Sequence, residues 1–333
     1  MNNSDRKSIL VSGGAGYIGS HCSKAIAQAG YQPVCFDNLS TGHADFVQWG
    51  PLVVGDIHDS EKIASTIREY DIQAVMHFAA FSAVGESVRD PEKYYWNNVG
   101  GTLGLLNGMR RAGCNRLVFS STGAVYGDAS PKPITEDAAG PTVNPYGRSK
   151  FMIEQILADY RAAYQIGSVS LRYFNACGAD ASGSIGELRD TETHLIPRAL
   201  MALQGHVSDF AIFGTDYPTP DGTAIRDYIH VEDLAAAHIA ALELLMAGHQ
   251  GDVFNVGTGV GYSVRQILDA IRMETGEAVP CALKERRAGD PPILVADPSK
   301  AELKLGFKAT RSDLQNVIRS AWAWHRKAHP RQR

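Results

Sequence analysis

Short apolar runs alternate with longer segments of helical periodicity through the first half of the chain. The apolar runs predict strands over Ser8–Val11, Pro33–Asp37, Leu52–Val54, Ala74–Phe78, Leu117–Ser120 and Ser168–Arg172. The intervening segments predict helices over Tyr17–Ala29, Asp59–Tyr70, Pro91–Ala112 and Tyr146–Tyr164. Strands that alternate with helices in this way form right-handed βαβ units. We therefore expect an α/β fold built on a doubly wound parallel sheet.

The pattern changes after Arg172. Residues 175–225 are rich in Gly, Pro and Asp, with one helix predicted over Thr193–Gln204. A helix over Val231–Met246 and a strand over Val253–Asn255 return to the α/β pattern, and short helices follow from about residue 260. We expect a large sheet domain from residues 1–175, with 228–256 returning to it, and a smaller mixed α/β lobe from 176–227 and 257–333. A single continuous α/β domain is the alternative.

Composition narrows the class of protein. The 333 residues are 44% hydrophobic and 20% charged, with a net charge of −4, which excludes a disordered chain and disfavours a nucleic-acid surface. No apolar run is long enough for a membrane span, and the polar start leads straight into a strand without a signal peptide. Five cysteines without a C-x-x-C pair predict reduced thiols in the cytoplasm. The 11 histidines form no H-E-x-x-H motif and no cluster with carboxylates, so we expect no metal site.

Three glycines, Gly13, Gly16 and Gly19, separate the first strand from the first helix. In a dinucleotide loop the first glycine allows a tight turn, the second lets a pyrophosphate approach the backbone, and the third lets helix and strand pack closely. The free N–H groups and the dipole of the helix then favour phosphates. The spacing is G-x-x-G-x-x-G, and an ordinary βα turn is the alternative.

An acidic residue, Asp37, ends the second predicted strand. A carboxylate about 20 residues beyond the glycine loop suits the ribose 2′-hydroxyl of NAD and repels the 2′-phosphate of NADP. Asp56 closes the third strand, where it could meet the adenine. Both acids also suit ordinary turns at strand ends.

Tyr146 and Lys150 lie four residues apart near the start of a predicted helix and share one face. A nearby ammonium lowers the pKa of a phenol, and a phenol tuned in this way is a general base near neutral pH. The hydroxyls of Ser120, Ser121 and Thr122 follow a parallel strand, at the edge where ligands bind such sheets. A solvated helix face is the alternative for the Tyr146–Lys150 pair.

Together these motifs resemble the extended short-chain dehydrogenase/reductase family, whose fold is a Rossmann-type doubly wound parallel sheet. Within it, the chain resembles the UDP-glucose 4-epimerase (UDP-galactose 4-epimerase) family from about residue 8 to 325. The further motifs that carry this resemblance are His77-Phe78-Ala79-Ala80, Tyr95-Trp96-Asn97-Asn98-Val99, Val125-Tyr126-Gly127-Asp128, Leu171-Arg172-Tyr173-Phe174-Asn175 and Arg226-Asp227-Tyr228-Ile229-His230-Val231.

The resemblance implies an isomerase that interconverts UDP-glucose and UDP-galactose through a 4-keto sugar, with tightly bound NAD as a transient hydride store. Tyr146 would take the proton of the sugar 4-hydroxyl, and Thr122 would hydrogen-bond near the reacting oxygen. Lys150 would hold the nicotinamide ribose and lower the pKa of Tyr146. It also implies a homodimer formed through the helices over Pro91–Ala112 and Tyr146–Tyr164.

The resemblance further implies two sets of contacts. The cofactor contacts are Gly13, Gly16, Tyr17, Ile18, Gly19, Asp37, Asn38, Asp56, Ile57, Phe78, Ala79, Ala80, Asn97, Tyr146, Lys150 and Phe174. The substrate contacts are Thr122, Tyr146, Asn175, His194, Leu195, Ala211, Phe213, Arg226, Arg287, Asp290 and Leu294. The chain departs from some family members at Ser82, where they carry a lysine, and at His194, where they carry an amide.

By the same resemblance, Leu294 occupies the position that often decides whether an N-acetylated sugar can rotate in the site, and family members open to such sugars tend to have a small residue there. A leucine there should crowd the acetyl group, which favours UDP-glucose and UDP-galactose. Another 4-epimerase, acting on UDP-N-acetylglucosamine, UDP-xylose or UDP-glucuronate, is the main alternative. A nucleotide-sugar dehydratase is disfavoured because Gly123-Ala124 stands where that chemistry needs an acid–base pair. A non-enzymatic NAD-binding sensor is disfavoured because such proteins usually lack the Tyr146–Lys150 pair.

Overall fold

The strands follow the order that the apolar runs predict. The computed structural model of the chain describes residues 6–127, 133–138, 140, 142–287 and 290–330. The strands are β1 (Ser8–Ser12), β2 (Gln32–Asp37), β3 (Leu52–Val54), β4 (Ile72–His77), β5 (Arg116–Ser120), β6 (Gly167–Tyr173), β7 (Asn175–Cys177), β8 (Ala211–Phe213), β9 (Ile225–His230), β10 (Gly251–Val256), β11 (Gly261–Ser263), β12 (Ala282–Lys284) and β13 (Ile293–Leu294).

Helices connect most of these strands. They are α1 (Tyr17–Gln28), α2 (Ser60–Glu69), α3 (Val84–Arg89), α4 (Pro91–Tyr94), α5 (Gly101–Ala112), α6 (Pro145–Tyr164), α7 (Leu195–Leu203), α8 (Val231–Met246), α9 (Val264–Thr275), α10 (Ser299–Leu305) and α11 (Leu314–Ala328). Two 3₁₀ turns span Ala44–Phe46 and Gly123–Tyr126, and a π-helical segment spans Tyr95–Gly100.

The main sheet has seven parallel strands in the order β10-β6-β5-β4-β1-β2-β3. Val11 of β1 pairs with Cys35 of β2 on one side and with Met76 of β4 on the other. The chain leaves β1 in one direction and returns on its other side at β4, so the switch point of the strand order lies between them. Crevices at such points, outside the carboxyl ends of the strands, are where open α/β sheets bind ligands. The expected Rossmann-type fold is confirmed.

Alternate side chains of β1 reach opposite faces of the sheet, as the two-residue period of a strand requires. Ile9 and Val11 belong to the core beneath α1 and α8, whereas Leu10 belongs to the core beneath α2, α5 and α6. All three are fully buried. A strand buried on both faces reads as a continuous apolar run, which is why β1 can be recognised in the sequence.

Two small sheets form the second part of the molecule. In the first, β9 pairs in parallel with β7 and β13 and antiparallel with β11; in the second, β8 pairs with β12. A separate core, drawn mainly from α7, α9 and α11, packs beside them. The helix α10 instead packs on the main-sheet core through Ala301.

The helix predicted over Pro91–Ala112 has the expected bounds, but it is not a regular α-helix. It consists of α4, the π-helical turn Tyr95–Gly100 and α5 in succession. The apolar pattern does not reveal the π turn, which differs only in that its hydrogen bonds span five residues instead of four. The helices expected to be short after residue 260 include longer ones, since α9 has 12 residues and α11 has 15. The helix α3 and the strands β7, β8, β9, β11, β12 and β13 were not predicted.

Candidate active site

The glycine loop connects β1 to α1 at the carboxyl edge of the sheet. Gly13 has a φ of +76°, and a Cβ atom there would lie 2.6 Å from the backbone nitrogen of Ala79. A Cβ at Gly19 would lie 2.1 Å from the carbonyl oxygen of Gly13. The fold itself therefore requires both glycines. Gly16 is the N-cap of α1, and no side chain in the described part of the chain caps this helix. Its N–H groups are the natural anchor for phosphates.

The carboxylate of Asp37 supports this loop from the end of β2. It is buried, and it accepts hydrogen bonds from the backbone N–H groups of Ala15 (3.0 Å) and Leu39 (2.8 Å). The neighbouring Asn38 donates its amide to Asp56 (3.0 Å), which also accepts from the backbone of His58 (2.9 Å). These acids thus lie together at the edge where the sequence places the adenosine ribose.

The segment after β4 joins the end of β1 to the π-helical turn. The backbone N–H groups of Phe78 and Ala79 both donate to the carbonyl oxygen of Ser12, at 2.8 and 3.1 Å. The buried side chain of Asn98 accepts from the backbone N–H of Phe81 (2.9 Å) and donates to its carbonyl oxygen (3.1 Å). Two flanking elements therefore fix the backbone of the segment that carries Phe78, Ala79 and Ala80.

A buried hydrogen-bond relay runs behind this segment. Ser12 Oγ lies 2.7 Å from His77 Nδ1, His77 Nε2 lies 2.9 Å from Thr102 Oγ1, and Thr102 Oγ1 donates to the carbonyl oxygen of Asn98. The hydroxyl of Thr102 donates its one proton to the carbonyl oxygen of Asn98, so it must accept from the N–H at His77 Nε2. His77 Nδ1 then has no proton and accepts from the hydroxyl of Ser12. Burial and the nearby Lys150 lower the pKa of His77 to about 3, so the ring is neutral as the relay requires.

The π-helical turn lies at the end of this relay. Asn97 donates to the side-chain oxygen of Asn98 (3.0 Å), and Asn98 also donates to Ser149 Oγ (3.2 Å) on α6. The turn thus connects the predicted cofactor contact Asn97 with the helix that carries Lys150. π-helical turns are rare and are found frequently at functional sites.

Tyr146, Lys150 and Thr122 are brought together as the sequence predicts. Asn144 caps α6 by accepting from the backbone of Gly147 (2.8 Å), and Pro145 occupies the first helical turn. This places Tyr146 and Lys150 on the buried side of α6, above the carboxyl end of β5. Thr122 lies close enough to Tyr146 to lower its pKa, and the hydroxyl of Thr122 accepts from the backbone of Ala124 (3.1 Å).

The electrostatics of the pair differ from those expected. Burial raises the pKa of Tyr146, while Thr122 and the charge of Arg189 act in the lowering direction. Burial lowers the pKa of Lys150 to about 7, and Glu154 opposes that shift. Lys150 Nζ donates to the carbonyl oxygen of Ser120 (2.9 Å). The spacing predicts that Lys150 lowers the pKa of Tyr146. In the protein without ligands, burial raises that pKa instead.

A buried ion pair between Arg172 and Glu154 lies next to the catalytic helix α6. Arg172 binds Glu154 through Nε at 3.0 and 3.2 Å, and Ser121 also donates to Glu154. Both charges are buried and satisfied by hydrogen bonds, as buried ions must be. This pair fixes α6 to β6 one turn beyond Lys150. Nearby, Ser120 Oγ lies 2.7 Å from the hydroxyl of Tyr173.

The predicted substrate contacts come mainly from the second part of the molecule. Arg226 Nη2 lies 3.7 Å from Asp290, and Arg287 lies with its guanidinium carbon 3.9 Å from the ring centroid of Phe213. Ala211 lies on the same strand as Phe213. The amide of Asn175 donates to the carbonyl oxygen of Asp227 (3.0 Å), next to Arg226 in β9.

Leu294 pairs in register with Arg226 across β13 and β9. Its side chain packs against the buried cluster of Val125, Tyr126 and Ile134. Phe174 packs against the same cluster and against Gly123, where a Cβ would lie 2.8 Å from its ring. Leu294 thus pairs with a predicted phosphate-binding arginine and shares a cluster with a predicted cofactor contact.

His194, which precedes Leu195 at the start of α7, lies among charged side chains. Its Nδ1 lies 2.8 Å from Glu192 and 3.2 Å from Glu187, and Arg189 donates to Glu187 (3.0 Å). Burial opposes the charged form of His194, but Glu187 and Glu192 raise its pKa to about 9. Burial likewise opposes the charge of Glu187, but His194 and Arg189 hold its pKa at about 2.

The statement that no histidine clusters with carboxylates is therefore wrong. Glu187, Glu192 and His194 place possible metal-ligand atoms within 4.8 Å of one another. Their spacing of two to seven residues fits no metal motif, so no sequence pattern indicates this cluster. The carboxylates already accept from Arg189, from His194 and from backbone N–H groups. N–H groups therefore already point at carboxylate oxygens that a metal ion would bind.

Sequence reasoning missed several residues of the site. Arg189 acts electrostatically on Tyr146, and Tyr173 and Asn98 reach the strand and helix that carry the catalytic pair. Tyr173 and Asn98 stand inside recognised motifs, and that position was the available signal. Arg189 has none, because a loop far from Tyr146 in the sequence delivers it. Asp128, which completes one recognised motif, lies outside the described residues.

The geometry agrees with comparisons to known proteins. The model of the NAD dependent epimerase/dehydratase family matches residues 9–257. The UDP-glucose 4-epimerase of Rhizobium leguminosarum bv. trifolii is 48% identical over 323 residues, which cover 97% of this chain and 98% of that protein.

Two solved structures are similar over nearly the whole chain. A Brucella ovis UDP-glucose 4-epimerase in complex with NAD is 52% identical, covers 95% of this chain and 97% of its own, and has a TM-score of 0.93. A Stenotrophomonas maltophila UDP-glucose-4-epimerase with bound NAD and formylated UDP-arabinopyranose is 41% identical, covers 97% and 99%, and has a TM-score of 0.94. No helix among the described residues is long and apolar enough to span a membrane. The chain belongs to the NAD dependent epimerase/dehydratase family.

Proposed function

We propose that this protein interconverts UDP-glucose and UDP-galactose by inverting C4 of the hexose through a 4-keto sugar, with tightly held NAD. One observation carries the proposal. The buried Tyr146 lies close enough to Thr122 for that side chain to lower its pKa, and it shares the buried side of α6 with Lys150, whose ammonium donates to the carbonyl oxygen of Ser120 at the end of β5. Two relatives that are 48% identical over nearly their whole length are UDP-glucose 4-epimerases.

The residues at the carboxyl edge of the sheet fit NAD. The N-terminus of α1 offers N–H donors to a pyrophosphate, and Gly13, with a φ of +76°, makes the tight turn that leads into it. The buried carboxylate of Asp37 suits a ribose diol. Bound NAD supplies a reversible hydride acceptor for the sugar C4. We assign the cofactor contacts to Gly13, Gly16, Tyr17, Ile18, Gly19, Asp37, Asn38, Asp56, Ile57, Phe78, Ala79, Ala80, Asn97, Tyr146, Lys150 and Phe174.

The catalytic residues transfer the proton of the sugar 4-hydroxyl. Tyr146 takes the proton of the sugar 4-hydroxyl as C4 gives up its hydride, and it returns a proton to O4 when the hydride comes back on the other face. Thr122 hydrogen-bonds near the reacting oxygen, and Lys150 holds the nicotinamide ribose. The carbonyl oxygen of Ser120 fixes the ammonium of Lys150, and Arg189 adds a second cation whose charge favours the phenolate.

The lobe supplies the nucleotide-sugar contacts. We assign the diphosphate to Arg226 and Arg287, since guanidinium groups bind phosphate oxygens bidentately. The other contacts that we assign are Asn175, His194, Leu195, Ala211, Phe213, Asp290 and Leu294. Leu294 packs on the same buried cluster as Phe174, and we propose that its side chain narrows the space that an N-acetyl group would need and so favours the unmodified hexose.

We also infer a homodimer formed through α5 and α6. Arg110 of α5 lies over the ring of Tyr164 of α6, at 3.6 Å, so the two helices are neighbours. Trp96 is 70% exposed in the turn before α5, and Met152 on α6 is also exposed. A dimer through these helices would bury these exposed side chains. Size-exclusion chromatography with light scattering should give twice the chain mass, and Trp96→Arg should shift it towards the monomer.

Two further expectations belong to this proposal. We propose that residues 1–175 with 228–256 bind the cofactor and that 176–227 with 257–333 bind the nucleotide sugar, with α10 in contact with the main sheet. We also propose a cytoplasmic enzyme, since all five cysteines are free thiols and four of them are buried.

A coupled assay tests the activity. The purified protein should convert UDP-galactose to UDP-glucose without consuming added NADH. Tyr146→Phe should lower kcat about 10²-fold or more, because it removes the group that exchanges the proton. Tyr160→Phe, a change of the same kind on the same helix, is the control and should keep full activity. Full activity in Tyr146→Phe, or turnover of only another UDP-sugar, would contradict the assignment.

A further inference from the structure

The hydroxyl of Tyr217 is buried without a hydrogen-bond partner among the described residues. The residue is 5% exposed. An unpaired buried hydroxyl is destabilising, so proteins rarely keep one without a partner such as a bound ligand. Phenylalanine would fill the same space without this penalty. The hydroxyl of Tyr217 therefore calls for a partner that the described residues do not supply.

The ring of Tyr217 is held firmly in place. Gly214 has a φ of +81°, and a Cβ there would lie 2.5 Å from the tyrosine ring. The guanidinium carbon of Arg286 lies 4.4 Å from the ring centroid, and Arg286 Nε donates to Asp216 (2.7 Å). The backbone N–H of Tyr217 donates to the carbonyl oxygen of Gly222 (2.9 Å). These contacts hold the ring in place and so set the direction of the hydroxyl.

The hydroxyl of Tyr217 lies close enough to Arg226 and Asp290, two of the proposed substrate contacts, for their charges to act on its pKa. Burial raises the pKa of Tyr217, and Asp290 raises it further, whereas Arg226 and Arg286 lower it. Asp216 acts in the raising direction. Arg226 and Asp290 form a loose pair at 3.7 Å, and neither is bonded to the hydroxyl. The strand that follows this loop carries Arg226 itself.

We propose that the Tyr217 hydroxyl donates a hydrogen bond to the diphosphate of the bound nucleotide sugar, beside Arg226. This rests on the proposed function, because that function supplies the diphosphate. Phosphate oxygens are acceptors only, so they match a hydroxyl that has a proton to donate. Tyr217 then contributes to the affinity for the nucleotide and takes no part in the chemistry at C4.

Tyr217→Phe tests this, because it removes only the hydroxyl. Isothermal titration with UDP alone should show binding about 10-fold weaker or more, as expected for a lost hydrogen bond to a charged group. The KM values for UDP-glucose and UDP-galactose should rise by the same factor, with kcat unchanged. The thermal midpoint of the ligand-free protein should stay the same or rise. Tyr31→Phe, which loses a hydrogen bond to Glu243 on the opposite side of the molecule, should bind UDP like the wild type.

Three outcomes would overturn the inference. Unchanged UDP affinity in Tyr217→Phe would show that the hydroxyl does not reach the diphosphate. A lower thermal midpoint without ligand would assign the hydroxyl a structural role instead. Unchanged KM with a lower kcat would place it in the chemistry. A wild-type protein that binds no UDP would contradict the proposed function as well, so the two failures can be told apart.

Discussion

The hydrogen-bond relay behind the glycine loop makes a quantitative prediction. Thr102 is fully buried, and its hydroxyl serves two partners at once, accepting from His77 Nε2 (2.9 Å) and donating to the carbonyl oxygen of Asn98 (2.5 Å). Valine has nearly the same shape but neither donates nor accepts. Thr102→Val therefore removes the last donor of the relay with little change in packing.

The expected loss follows from the groups left behind. The N–H of His77 has no other partner in the described part of the chain, and an unpaired buried donor costs about 1–3 kcal/mol. A change of ring tautomer would only exchange this donor for an unpaired acceptor. The lost bond to Asn98 adds about 1 kcal/mol. We expect Thr102→Val to lower the free energy of unfolding by about 2–4 kcal/mol.

Thr66→Val is the matched control. Thr66 is also buried, but its hydroxyl only donates to the carbonyl oxygen of Lys62 (2.8 Å), which the helix already serves. We expect a loss of about 1 kcal/mol there. Urea denaturation of both variants measures the difference as a shift of the midpoint at constant slope. Equal shifts for the two variants would refute the relay.

Three further predictions concern specificity, pH and the glycine loop. Leu294→Ser should raise activity on UDP-N-acetylglucosamine while activity on UDP-glucose persists; an unchanged ratio would count against a steric role. Because Glu187 raises the pKa of His194 from 6.5 to about 9, the charged pair stabilises the fold fully below pH 6.5 and loses this contribution as the pH rises through about 9. The difference in thermal midpoint between the wild type and His194→Asn should therefore shrink over that range, and a constant difference would contradict it. Gly13→Ala should lose bound NAD on purification, since its Cβ would meet Ala79; full retention would show that the loop tolerates a side chain.

Much of the fold follows from local physics. The strand β1 is buried on both faces, so its apolar run is continuous and easy to recognise, and Gly30 and Gly113 mark helix ends by their positive φ. The Tyr146–Lys150 pair could be predicted because helical spacing alone puts both side chains on one face. These features depend on neighbours in the sequence.

The features that sequence did not predict depend on contacts between distant segments. The π-helical turn is held by Asn98 and Thr102 through partners on β4 and α6. The charged cluster around His194 forms where a loop folds back on itself, and Arg189 reaches Tyr146 only in three dimensions. No periodicity within one segment carries that information.

The central claim is that the hydride taken from C4 returns to the same carbon. It is tested most directly with UDP-galactose that carries deuterium at C4, incubated with the purified protein in ordinary water. We predict UDP-glucose that keeps its deuterium at C4, with no loss of label to solvent and no consumption of added NAD. UDP-glucose that has lost the label to water, or that forms only as added NAD is consumed, would contradict the account.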